Sequence, residues 1–104
     1  MRFHITVSFP VAAGNAAIRM GTIGETIQSI LEETKPETVY FGVKDGKRTA
    51  FMIVNMTNAS ELPAIFEPWF LAFDARIDAT PVMVPDDLTK AGGAFESAVK
   101  KFGG

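Results

Sequence analysis

Cysteine is absent from this chain, which excludes a disulfide framework, a thiolate metal site and a thiol nucleophile. Histidine, tryptophan and tyrosine occur once each. One histidine is thin support for a metal centre, which needs several ligands, so no metal is expected. Basic residues are not in excess. Ten Lys and Arg against twelve Asp and Glu leave a formal charge of -2, with no electrostatic footprint for nucleic acid or an anionic membrane. No stretch approaches the roughly 20 apolar residues that span a bilayer. The opening Met1-Arg2-Phe3-His4 leads straight into a strand pattern and lacks the apolar core and cleavage site of a signal peptide, so a cytoplasmic location is expected.

Catalytic motifs are missing as well. There is no nucleophile elbow, no His-Glu-x-x-His and no P-loop. Gly21-x-x-Gly24 and Gly92-Gly93 do not follow a strand as phosphate loops must. No catalytic residue is assigned, no cofactor is implied, and whether the chain is an enzyme stays open.

What is present suffices for one packed domain over residues 1–104. Hydrophobic residues are 47% of the chain and nine are Phe, enough to fill a single core. Phe3, Ile5, Val7 and Phe9 alternate with His4, Thr6 and Ser8, a strand signal that Pro10 ends. From Asn15 to about Thr34 the period changes: Ala16, Met20, Ile23, Ile27, Ile30 and Leu31 build one apolar stripe on a helix. Gly21 and Gly24 weaken its first half, and Thr22 with Glu25 offers a capping box for a later start.

Residues 38–44 and 47–56 form a hairpin around Asp45-Gly46, a pair suited to a turn with positive φ at both central positions. That turn pairs Lys44 with Lys47, Gly42 with Thr49 and Tyr40 with Phe51. Val39, Phe41 and Val43 then share a face with Ala50, Met52 and Val54. Asn58-x-x-Glu61 opens a second helix to about Ala72, whose buried stripe is Leu62, Ile65, Phe66, Trp69 and Phe70. Pro63 fits a first turn, while Pro68 predicts a kink or a split. Arg76 to Met83 alternates again, and Pro81 suits an edge strand. A last helix from Asp86 or Asp87 to about Phe102 carries Leu88, Ala91, Phe95, Val99 and Phe102 on one stripe. Acids stand at its start and Lys100-Lys101 at its end, and Gly92-Gly93 is its weak point.

The order β-α-β-β-α-β plus a helix is the α+β, ferredoxin-like arrangement with a four-stranded antiparallel sheet, ordered 4-1-3-2. The alternating first strand, the long first helix, the Asp45-Gly46 hairpin and the Pro68-Trp69 helix together resemble the dimeric α+β-barrel superfamily. That resemblance implies a homodimer formed through the open sheet faces, with a ligand site between them. It implies no particular reaction, because members include cofactor-free monooxygenases, isomerases and haem-handling enzymes.

The residues point to the same face. Helices cover one side of the sheet and leave His4, Thr6, Ser8, Tyr40, Thr49, Phe51, Ile53, Asn55, Arg76, Asp78 and Thr80 on the other. The candidate ligand-binding residues are His4, Thr6, Tyr40, Phe51, Asn55, Arg76, Asp78 and Thr80. His4 beside Asp78 or Arg76 could act as a general base, although a single interface hydrogen bond is the commoner role. Arg76 and Asp78 point the same way from one strand and could hold a substrate carboxylate and a proton, or form a structural ion pair. Tyr40 could donate to a bound oxygen, while Trp69, among Phe66, Phe70 and Phe73, reads as core.

Three functions compete. A homodimer could bind, and transform, a small organic molecule in a cavity between its sheets, or the polar face could only specify pairing in a non-catalytic interaction module. RNA-recognition domains share the strand order. They stack bases on aromatics of strands one and three, however, and strand one here offers His4, Thr6 and Ser8, so neither nucleic acid nor membrane is an expected partner.

Overall fold

The computed structural model describes residues 1–104. The N-terminal alternation forms β1, Arg2–Ser8. Pro10 ends that strand and stands at the N-cap of the next helix: α1 spans Val11–Met20 and α2 spans Ile23–Thr34. The expected single helix from Asn15 is thus two helices, beginning four residues earlier. Gly21 divides them, taking a left-handed φ of 73° in which its N–H bonds back to the Ile18 carbonyl. The Thr22–Glu25 capping box does not form. Thr22 has helical dihedrals, and its hydroxyl reaches back to the Ala17 carbonyl instead.

The hairpin is as expected. β2, Thr38–Lys44, and β3, Lys47–Asn55, pair Lys44 with Lys47, Gly42 with Thr49 and Tyr40 with Phe51. Asp45 and Gly46 take φ of 53° and 72°, the positive pair that matches the twist of the strands. Asn58 accepts from the Ser60 N–H while Glu61 accepts from the Asn58 and Thr57 N–H groups, so that capping box exists. It opens a single 3-10 turn, Ala59–Glu61, which runs into α3, Leu62–Phe73. Pro68 does not split α3, which is continuous through it.

β4, Arg76–Val82, completes a sheet ordered β2-β3-β1-β4, all neighbours antiparallel, with Pro81 on the edge strand as its chemistry requires. The fold is α+β with a ferredoxin-like strand order. Ile5, Val7, Ala50, Met52 and Val54 meet the helices on one side of β1 and β3 and are buried. Trp69 is fully buried at 0% exposure. Its ring lies 5.9 Å from Phe9 and 6.2 Å from Phe73. The α3 stripe is therefore Ile65, Trp69 and Phe73; Leu62 and Phe70, expected inside, sit at its exposed margin.

The helix layer centres on β1 and β3 and leaves the edges thinly covered. Phe41 and Val43 of β2 are 53% and 75% exposed on the side the helices were expected to bury. The C-terminal helix also departs from expectation. It is broken at Ala91 into α4, Pro85–Lys90, and α5, Gly92–Phe102, and neither contributes a buried residue. Gly92-Gly93 has too little helix propensity to carry one rod through this point. No helix is long and apolar enough to cross a membrane.

Candidate functional site

The uncovered face of the sheet is built by register. Across the four strands, Gly42, Thr49, Ser8 and Arg76 form one row, and Tyr40, Phe51, Thr6 and Asp78 the next. Thr38, Ile53, His4 and Thr80 form the third, followed by Asn55, Arg2 and Val82. Successive rows alternate with the helix-side residues because the side-chain period of a strand is two. All eight candidate residues therefore lie on one surface.

Their environments differ. Thr6 and Thr49 are buried at the centre, and the Thr49 hydroxyl donates to the Lys47 carbonyl at 3.0 Å. Phe51 leans over Gly42, where an added Cβ would stand 3.6 Å from its ring. Tyr40 is 70% exposed beside it. His4 is half-buried, flanked by Ile53 and Thr80, and its imidazole makes no hydrogen bond. Asp78 is its diagonal neighbour across the β1–β4 ladder, and no hydrogen bond joins the two side chains. Arg76 Nε and Asp78 Oδ2 are 3.9 Å apart, and both side chains are largely in water. Such a contact is a weak ion pair that leaves the guanidinium available.

Asn55 stands apart from the rest. Its Oδ1 accepts from the Met1 ammonium at 2.8 Å, so it anchors the N-terminus. With Arg2, Pro81 and Asp87 it lines a cleft of about 460 Å³ at the end of the sheet where α4 begins. Arg2 is held there by Glu37 at 2.9 Å.

At the opposite end the structure adds residues that sequence reasoning missed. Lys44, Asp45 and Lys47 of the hairpin join Thr6, Ser8, Arg76 and Asp78 around a wholly polar depression of about 160 Å³. Three cations face two carboxylates there, and Lys44 lies directly across the ladder from Lys47. Like charges so placed repel, and a bound anion would relieve them. The Lys44–Lys47 pairing was legible from the hairpin register. Its nearness to Arg76 depended on β1 separating β3 from β4.

The site thus has a cationic polar end, an aromatic and aliphatic middle of Tyr40, Phe51 and Ile53, and His4 beyond. The Asn58 N–H, and then the Thr57 N–H, hold the Glu61 carboxyl below the usual range, and it lies in the capping box, away from this face. No group of His, Asp or Glu is arranged to hold a metal ion.

No family model matches the chain, and no curated protein sequence does. Among solved structures it is similar to the de novo designed protein Ferredog-Diesel, at 13% identity over 78% of this chain and 85% of that one, with a TM-score of 0.45. The assignment of topology rests on the strand pairing itself.

Proposed function

We propose that two copies of this chain pair through the open sheet face, as in dimeric α+β barrels, and bind a small organic molecule bearing an acidic group between the sheets. The observation that carries this reading is the polarity gradient of the face, which runs from Arg76, Lys44 and Lys47 to the partly exposed Tyr40, Phe51 and Ile53. An exposed aromatic and aliphatic strip favours a covering partner. The cationic end would hold a carboxylate while the strip takes an apolar body, and Thr6 and Ser8 would offer hydroxyl donors beside it. Binding is as far as the reading goes, because no pair of groups on this face is set within proton-transfer distance.

The test uses benzoate as the probe, with amide chemical shifts as the readout. Shifts should concentrate at Ser8, Thr49 and Arg76, and Arg76→Ala should weaken binding about tenfold or more while leaving the fold intact. Shifts spread evenly over the surface, or unchanged binding by Arg76→Ala, would leave the face a pairing surface without a ligand.

A further inference from the structure

We propose that the C-terminal arm formed by α4 and α5 docks its apolar stripe in the groove between α2 and β2 of a second copy of this chain. Leu88, Phe95, Val99 and Phe102 recur at helical spacing, and Phe102 is 85% exposed. The only substantial packing of α5 is against α4. The chain is 59 Å long but 27 and 20 Å across, with a radius of gyration of 17.7 Å, against about 13 Å for a compact chain of this length. It exposes 7129 Å², roughly 1,400 Å² more than a compact monomer of its mass. A stable interface hides about 800 Å² per partner, so the excess is of the size that pairing removes.

The groove is the matching vacancy. Phe9, Ile23, Ile27, Phe41, Val43 and Arg48 border a space of about 320 Å³ on the helix side of the sheet. β2 offers about 23 Å of strand along which the roughly 16 Å of α5 can lie. Glu25, Glu32 and Glu33 of α2 have no cationic partner and Lys100 and Lys101 of α5 have no carboxylate; the one charged residue lining the groove itself, Arg48, is engaged by Asn15 at 3.0 Å. The chain's own arm is badly placed to fill the groove. It leaves the edge strand β4 at Val82, beside Arg2, whereas Val43, on the opposite edge strand, and Arg48 paired with it lie at the other end of the sheet. A second copy has no such constraint.

The exchange is separate from ligand binding, since Phe41 and Val43 face away from Phe51 and Ile53. Because the chain has no cysteine, single thiols report on it cleanly. Full-length Val99→Cys and Val43→Cys proteins, mixed under mild oxidation, should form a mixed disulfide at least tenfold faster than Val99→Cys with Leu71→Cys, an exposed control. Adding Phe95→Ser and Phe102→Ser to the Val99→Cys chain should remove that advantage. Equal rates for the two mixtures would overturn the proposal. So would a Val43→Cys/Val99→Cys double variant that closes its disulfide within one chain, or a Val99→Cys protein that links only to itself. Ile53→Asp tells the two readings apart: it should weaken benzoate binding and spare the mixed disulfide, so a lost mixed disulfide refutes the arm exchange alone, and unchanged benzoate binding refutes only the ligand reading.

Discussion

Replacing Trp69 with alanine removes the largest fully buried side chain of the interior. A tryptophan hides on the order of 200–250 Å² on folding, worth about 5–6 kcal/mol at 25 cal/mol per Å². Residual burial in the unfolded chain lowers that to roughly 3–5 kcal/mol. The contacts with Phe9 and Phe73 and the cavity left behind push toward the upper end of the observed range for such truncations, also about 3–5 kcal/mol. A domain of this size has about 5–15 kcal/mol in total, so the variant should lose between about a fifth and nearly all of its stability. Urea unfolding followed by far-UV circular dichroism at fixed protein concentration gives the loss, and Leu71→Ala, exposed on the same helix, should stay within about 0.5 kcal/mol of wild type. A Trp69→Ala loss below about 1.5 kcal/mol at an unchanged m value would refute the packing described around β1 and α3.

Gly46→Ala meets no steric obstacle but must hold a φ of 72°, so it should cost about 1–2 kcal/mol in the urea midpoint. Asn58→Ala should cost about 1 kcal/mol by removing the cap of the turn before α3, measured the same way. Because the folded-state pKa of Glu61 lies below its unfolded value, its contribution is complete above the ordinary carboxylate range and lost as pH falls through the folded pKa. A Glu61→Gln variant should therefore be destabilised relative to wild type at neutral pH, with the difference shrinking in acid, as thermal melts across that window would show.

Much of the fold was legible because its signals are local. The Asp45-Gly46 turn sets a register that runs from Lys44 to Thr38, and the alternation in β1 and β4 assigns each side chain to a face. The eight candidate residues share that face for the same reason. What was not legible depends on competition between local and tertiary terms. Gly21 could have been tolerated inside a helix, as Pro68 is in α3. It became a break because its left-handed conformation closes α1 with bonds to Ala17 and Ile18. The stripe from Leu88 to Phe102 is as regular as that of α3, yet periodicity says only that a face wants cover, not which chain supplies it. The gathering of Lys44, Lys47 and Arg76 needed three strands in their final order, and helical patterning could not foretell that α2 would leave Phe41 and Val43 bare.

Pairing through the open face is tested most directly by sedimentation equilibrium on a Phe95→Ser/Phe102→Ser chain, which lacks the arm contact, and on the same chain carrying Ile53→Asp, with circular dichroism to confirm that both are folded. Open-face pairing predicts a mass twice the 11.3 kDa of one chain for the first at micromolar concentration. It also predicts a dissociation constant raised at least tenfold by the aspartate, because a charge at that centre would be buried without a partner. An arm-disabled protein that sediments as a single chain, or a dimer indifferent to Ile53→Asp, would contradict it.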